Sequence, residues 1–214
     1  MQDDRSLDST ARPKKRRWLS GCLGCGGLGL LLLVGLGVLG AMGEDDAPAA
    51  VETRAFASSP GAAGGASFAP FSFDYPTDWE REEDPRDLVR VVRKEGGVVA
   101  EALRVGYFTS DADLGPMIED SRRQLAAAFP KFQPVKTGPV TIGGRAGQQV
   151  TFSAETDAGE EIWGRLILLR GDDGRGLSLL MIATPAAKGV EGPAHVGEQG
   201  ELPVVLRSFK MGQP

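Results

Sequence analysis

Cysteine and histidine are nearly absent from this chain, which removes the residues that most metal and redox sites require. Its 214 residues include two cysteines, Cys22 and Cys25, and one histidine, His195. A structural zinc ion takes four protein ligands, and a reactive cysteine needs a setting that stabilises the thiolate. We therefore interpret Cys22 and Cys25 as small, weakly polar residues. We interpret His195, in a Gly- and Pro-rich stretch, as a solvated residue of a loop or helix start.

The sequence motifs of common catalytic and nucleotide-binding sites are also missing. The chain has no Gly-x-Ser-x-Gly, no P-loop, no Gly-x-Gly-x-x-Gly after a strand and no His-Glu-x-x-His. From position 44 onward the chain holds 18 basic and 26 acidic residues, since six of the 24 basic and three of the 29 acidic residues come earlier. An acidic domain repels the negatively charged phosphate backbone of nucleic acids, so we expect no nucleic acid partner.

What the sequence does contain is an uncharged stretch of 26 residues, positions 18–43. A helix of about 20 mostly apolar residues crosses the hydrocarbon core of a bilayer. The basic run KKRR (14–17) precedes the stretch, and the acidic run EDD (44–46) follows it. Because positive residues stay in the cytoplasm, the pattern predicts a basic cytoplasmic tail over 1–17. It predicts a single-pass transmembrane helix, a signal-anchor, over 18–43 and an extracytoplasmic C-terminal part.

Two other interpretations of the same stretch remain. Ala41-Met42-Gly43 offers the small residues of a cleavage site, so a removed signal would leave a secreted or periplasmic protein. Leu19-Ser20-Gly21-Cys22 has the residue types of a lipobox, but in a lipoprotein signal the apolar run precedes the cysteine, whereas here it follows. The anchor and the cleaved signal both place the C-terminal part outside the cytoplasm.

Composition divides the rest of the chain into a linker and a domain. Residues 44–70 are rich in Ala, Gly, Ser and Pro without an apolar period, which is typical of a flexible spacer. From position 71 to 214, alternating and continuous apolar segments predict strands. The predicted strands are 71–75, 88–94, 98–108, 132–136, 140–142, 145–155, 161–170 and 177–184. The last two are the most apolar, which predicts central strands covered on both faces.

Two segments of the domain have the period of a helix instead. Residues 111–129 carry an apolar stripe that includes Leu114, Ile118 and Leu125, and Pro130 ends it. Near the C-terminus, Leu202, Val205, Leu206 and Phe209 recur at helical spacing. Hairpins on both sides of one helix, with a second helix at the end, predict an antiparallel α+β domain.

The order of these elements and a few residues resemble the PsbP-like superfamily. The first predicted strand ends in Tyr-Pro-x-x-Trp (Tyr75, Pro76, Trp79), and the last helix carries Ser208 and Phe209. The resemblance covers about 71–211, and it implies an αβα sandwich built on one antiparallel sheet. It also implies an accessory or binding role, because the superfamily is known mainly for members that are not enzymes. It supplies no catalytic residues to carry over.

Acidic and aromatic residues of the domain are the remaining candidates for a ligand site. The acids Glu80, Glu82, Glu83, Asp84 and Asp87 offer oxygen ligands for calcium, but without the spacing of a known loop. We interpret them as a solvated charged loop, and Asp172 and Asp173 with Gly174 as a turn. Trp79 and Trp163 could line a ligand site, but packing is favoured because aromatic residues contribute most when buried.

The sequence thus predicts no catalytic, cofactor-binding or metal-ligating residue and no cofactor. It favours a non-catalytic accessory or binding module, tethered to the cell membrane and facing away from the cytoplasm. The expected partners are the membrane and a protein of the envelope. The alternative is a cell-envelope enzyme of hydrolase type, with dispersed acidic residues and His195 as its only support.

Overall fold

The computed structural model describes residues 51–58 and 68–212. The described residues form ten strands, two α-helices and one short 3-10 helix, Pro193–His195. The helices are α1 (Leu114–Ala128) and α2 (Leu202–Ser208). The strands are β1 (Thr53–Ala57), β2 (Phe71–Pro76), β3 (Glu80–Glu82), β4 (Val89–Glu95), β5 (Val98–Thr109), β6 (Gln133–Ile142), β7 (Arg145–Glu155), β8 (Glu161–Arg170), β9 (Arg175–Ala183) and β10 (Lys210–Met211).

Seven of these strands form one antiparallel sheet in the order β3-β4-β5-β9-β8-β7-β6. Tight turns join β4 to β5, β6 to β7, β7 to β8 and β8 to β9, and the last of these is the turn predicted at Asp172, Asp173 and Gly174. The two most apolar strands, β8 and β9, lie in the interior of the sheet; β8 is buried on both faces, and β9 is buried on one face and half-buried on the other. Their central position is confirmed, because only a strand covered on both faces favours apolar residues at consecutive positions.

Helices pack on opposite faces of this sheet. On one face α1 covers β7 and β8, where Ile118 contacts a cluster that contains Val150, Leu166 and Leu168. On the other face α2 and β2 cover the larger core, in which Phe71, Phe73 and Phe209 stack on one another. The α+β class and the layered arrangement are therefore confirmed for the described residues.

The expectation of a single sheet was wrong. Strand β2 pairs with β1 on one side and β10 on the other, which gives a separate three-stranded sheet over the second face. In this position Phe71 and Phe73 point into the core while the small sheet shields it from water. The strand pattern of 71–75 was identified correctly, but a local pattern does not specify the pairing partner.

Two boundaries also differ from the sequence prediction. Residues 53–57, assigned to the linker, are β1, because their backbone pairs with β2 and Phe56 packs on Phe71 and Phe73. The predicted strands 132–136 and 140–142 form a single strand, β6. It pairs with β7 along its length, with one bulge between Pro134 and Lys136. A bulge absorbs an extra residue without ending a strand.

The predicted membrane span lies outside the described residues. Within 51–58 and 68–212 no helix has the length and apolar character to cross a membrane. The described residues thus belong to the domain and to the last part of the segment that leads into it.

Candidate functional site

A buried carboxylate on β5, Glu101, holds the beginning of α2. Its side chain has no exposed surface. Its Oε1 atom accepts hydrogen bonds from the backbone amides of Glu201 at 3.1 Å and Leu202 at 3.3 Å. Amides at the start of a helix have no partner within the helix. Glu101 satisfies them and thereby joins the short helix α2 to an inner strand of the large sheet.

Charged and aromatic side chains surround this carboxylate. The Arg93 guanidinium lies 3.8 Å from Glu101 and 3.6 Å from Glu201. The indole nitrogen of Trp79 donates a 2.7 Å hydrogen bond to Glu201 Oε2. Arg93 also pairs with Glu95 at 2.8 Å, and Glu95 is largely exposed. The group Trp79, Arg93, Glu101 and Glu201, called the α2 clamp below, therefore links strands β4 and β5, and the residue just before β3, to the start of α2 through polar contacts.

Burial raises the pKa of the Glu101 carboxyl above its usual value, because a charged carboxylate loses its hydration inside the protein. The amides of Glu201 and Leu202 act in the opposite direction, and the nearby Glu201 carboxylate adds to the rise. A raised pKa is a property of many general acids. A general acid must also reach the substrate, however, and Glu101 is enclosed and bonded to backbone. The arrangement favours a structural role for this group.

A second buried charge, Arg165 on β8, contacts the segment that leads into α2, residues 196–202. Its Nε atom donates to Gln149 Oε1 at 2.8 Å, and Nη1 donates to Glu198 at 2.6 Å and to the Val196 carbonyl at 3.3 Å. Only 7 % of the Arg165 side chain is exposed, against 64 % for Glu198. A buried charge is costly unless it is paired. Arg165 therefore anchors the 196–198 backbone to the sheet, as Glu101 anchors the start of α2.

Sequence reasoning missed both of these residues, although a signal was present. Glu101 lies on the same face of its strand as Val99, Leu103 and Val105, and Arg165 lies on the same face as Ile167. Each charged residue therefore occupies a position where the alternation of the strand points to the core. A charged residue at an apolar register position is rarely buried without a partner. The partners, Glu201 and Glu198, lie far along the chain and show no local pattern.

His195 is half-buried and lies at the end of the short 3-10 helix, whereas the sequence suggested a solvated loop or helix start. Its Nδ1 atom accepts a hydrogen bond from the Glu191 amide at 3.2 Å. The imidazole thus bridges the turn that precedes the helix. Cys22 and Cys25 fall outside the described residues. No group of three or more His, Cys, Asp or Glu side chains within 51–58 and 68–212 is arranged to hold a metal ion.

Most of the acids between positions 80 and 87 face basic partners. Glu80 and Glu82 pair with Lys94 at 2.9 and 3.1 Å, and Asp87 pairs with Arg104 at 2.9 Å. Hydrogen bonds from Arg86 lower the pKa of Asp84 well below its usual range. The interpretation as a loop was wrong for Glu80–Glu82, which form the edge strand β3. Charged residues on an edge strand disfavour pairing with another chain.

The remaining candidates are structural, as expected. Asp172, Asp173 and Gly174 form the turn between β8 and β9. Trp79 and Trp163 are buried members of the main core, and Trp163 donates a 3.0 Å hydrogen bond to Glu161. Packing of the two indole rings is therefore confirmed.

Comparison with known proteins bears on the fold. No protein-family model matches the sequence, and a search of curated proteins finds no match. Among solved structures, LpqN, described as involved in cell envelope biogenesis of Mycobacterium tuberculosis, aligns with a TM-score of 0.52 and 15% identity. The alignment covers 75% of this chain and 92% of LpqN. Cyanobacterial PsbP (CyanoP) from Synechocystis sp. PCC 6803 aligns with a TM-score of 0.50 and 13% identity, over 81% of this chain and 98% of CyanoP.

The domain has a PsbP-like fold. The resemblance seen in Tyr75, Pro76, Trp79, Ser208 and the order of elements is therefore confirmed. Trp79 belongs to the α2 clamp, and Ser208 connects α2 to β2, since its hydroxyl accepts the Asp74 amide at 2.8 Å. Two of the residues that carry the resemblance, Trp79 and Ser208, thus help to fix α2 in place.

Proposed function

We propose that this protein is a non-catalytic accessory module of the cell envelope, tethered to the membrane by residues 18–43 and displaying the PsbP-like domain outside the cytoplasm to bind a protein partner. The observation that carries the proposal is the fold. It is shared with LpqN over 92% of that chain, and LpqN is described as involved in cell envelope biogenesis. An N-terminal apolar span with basic residues before it agrees with this location.

The state of the titratable groups supports a binding role over a catalytic one. Glu101, which has a raised pKa, is enclosed and bonded to the α2 amides. The Nδ1 atom of His195 is bonded to the Glu191 amide. Catalysis by either group would need a positioned nucleophile or acid within hydrogen-bond reach of a substrate. Both groups instead stabilise the segment that leads into α2.

Exposed apolar side chains supply candidate contact points for a partner. Tyr107 on β5 and Val135 on β6 are 44% and 53% exposed. Tyr107 packs against Phe68 with ring centroids 6.2 Å apart, so its ring is held in place at the surface. Aromatic side chains are enriched at protein interfaces because they supply large contact areas with little loss of side-chain entropy.

Site-specific photocrosslinking of the full chain in its native membranes tests the proposal. A crosslinking amino acid at Tyr107 or Val135 should form one abundant adduct with the same protein in repeated preparations. Matched control positions are Gln124 on α1 and Lys188, which are exposed and polar. Deletion of 18–43 should move the chain out of the membrane fraction and remove the adduct. No adduct from either apolar position, with the protein folded and in the membrane, would contradict the binding role and direct attention to an envelope enzyme.

A further inference from the structure

Strand β1 fixes the point at which the chain enters the folded domain. Its five residues pair with β2 from Thr53 opposite Pro76 to Ala57 opposite Ser72. One further hydrogen bond joins the Glu52 carbonyl to the Thr77 amide at 2.9 Å. The domain thus begins at the Thr53 end of β1, well before the end of the Ala- and Gly-rich segment.

Nine residues, 44–52, separate this entry point from the end of the uncharged stretch at Gly43. A chain spans at most about 3.3–3.6 Å per residue, so over the ten steps from Gly43 to Thr53 the start of β1 lies within about 36 Å of the outer end of the span, whatever conformation these residues adopt. The predicted linker of 27 residues would have allowed about three times that reach. The observed strand therefore holds the domain near the bilayer.

The entry point also selects one end of the domain, because a chain of contacts connects it to the turn between β4 and β5. Asp78, next to Thr77, lies 3.8 Å from Arg93, and Arg93 pairs with Glu95. Glu95 faces Val98 across the turn, and Val98 is 54% exposed. We call the surface formed by Thr53, Thr77, Asp78 and the 95–98 turn the proximal end.

The opposite end of the domain lies one strand length away. Strand β5 runs from Val98 to Thr109, where Thr109 faces Arg175 beside the turn between β8 and β9. Twelve residues of strand extend about 36 Å to 40 Å at about 3.3 Å per residue. The Asp172 side chain is 87% exposed in that turn. The surface around Asp172 is the distal end.

We infer that the proximal end faces the headgroup surface of the membrane that holds the span, with the 95–98 turn nearest the lipid and the Asp172 turn furthest away. This inference rests on the tether in the proposed function. Val51, at 48% exposed, lies just before β1 and adds a second exposed apolar residue near the entry point. Small apolar side chains on a tethered surface lower the free energy of contact with the lipid interface. The distal end remains open to partners.

Energy transfer to labelled lipid tests the orientation with the full chain. Cys22 and Cys25, the only cysteines in the sequence, are replaced by serine. A donor dye is attached to Val98→Cys in one sample and to Asp172→Cys in the other. Each protein is reconstituted into phosphatidylcholine and phosphatidylglycerol vesicles that carry an acceptor on the lipid headgroup. We expect transfer efficiency at position 98 to be at least about twofold that at position 172, given the strand length between them.

A longer tether serves as the matched control. Inserting about 20 Gly and Ser residues after position 46 adds flexible reach without changing the domain. This insertion should bring the two efficiencies close together. The inference is supported if the transfer efficiency at position 98 is at least about twofold that at position 172 and this ratio falls towards one after the insertion.

The two levels of the proposal fail in different ways. A chain that does not float with the vesicles overturns the tether and the orientation together. A chain that floats but shows equal transfer at the two positions, or stronger transfer at 172, overturns the orientation alone. A ratio that survives the insertion also supports the orientation, and it shows that the surface of the proximal end, with exposed Val51 and Val98, contacts the lipid without help from a short tether.

Discussion

The Glu101 carboxylate accepts the backbone amide of Glu201 at 3.1 Å, although the two residues are separated by 100 positions in the chain. This contact and the 3.3 Å contact with the Leu202 amide connect an inner strand to the start of α2. Neither contact follows from the local sequence. The domain nevertheless depends on them, because α2 covers the second face of the sheet.

Replacing Glu101 by alanine should destabilise the domain by about 3 kcal/mol, because it leaves the part-buried Glu201 amide and the buried Leu202 amide without an acceptor and removes one carboxylate from Arg93. Thermal denaturation of the detergent-solubilised chain, followed by tryptophan fluorescence, measures the loss. Glu83→Ala, at an exposed position, is the control and should change stability by less than about 0.5 kcal/mol. Equal melting temperatures for the two variants would show that the α2 clamp contributes little.

The contribution of Glu101 to stability should depend on pH with a defined sign. Its pKa is raised above the ordinary value of 4.5, so the folded state holds this proton more tightly than the unfolded state. The resulting stabilisation is fully present below about pH 4.5 and is lost as pH rises through the folded-state pKa. In Glu101→Gln the fall in stability from pH 4.5 upward should be smaller than in the wild type. If stability changed with pH in the same way in the two proteins, this would contradict a raised pKa of the buried Glu101 carboxyl.

Gly164 on β8 should not accept a side chain, because it lies directly opposite Phe152 of β7 and the Phe152 ring covers it. A Cβ atom there would overlap the ring, so we expect Gly164→Ala to cost about 1–3 kcal/mol by overpacking. Gly115 in the first turn of α1 is the matched control, since a Cβ atom there meets no atom within 4 Å. Gly115→Ala should be neutral or stabilise by about 0.5 kcal/mol through helix propensity. A tolerated Gly164→Ala would show that the ring can move aside.

Removing β1 should weaken the fold. A fragment 51–214 retains the strand, whereas a fragment 66–214, which the linker prediction would have permitted, loses it. The shorter fragment exposes the edge of β2 and removes Phe56 from Phe71 and Phe73, whose ring centroids lie 5.6 and 5.2 Å from that of Phe56. An exposed strand edge favours association between chains. We expect a lower melting temperature and more aggregation for 66–214 in light scattering. Identical behaviour of the two fragments would contradict a structural role for β1.

Several elements could be predicted from the sequence because each has a strong local period. Strands β4, β5, β7, β8 and β9 alternate or run continuously apolar, and turns such as Asp172-Asp173-Gly174 separate them. Helix α1 was recognised from its stripe through Leu114, Ile118 and Leu125. The charged members of the α2 clamp and Arg165 could not be recognised in this way. A charged residue on the apolar face of a strand gives no local indication of the distant residue that pairs with it.

The sequence by itself determined the classes of the elements and the central place of β8 and β9, since these depend on apolar period and turn residues close together in the chain. The PsbP-like resemblance came from Tyr75, Pro76, Trp79, Ser208, Phe209 and the order of the elements. Only the tertiary structure decided that β2 leaves the large sheet, that residues 53–57 become β1, and that Glu101 and Arg165 anchor the 196–202 segment. The physical reason is that strand pairing and the pairing of buried charges are satisfied between residues far apart in sequence. The folded chain, and no local pattern, brings these residues within hydrogen-bonding distance.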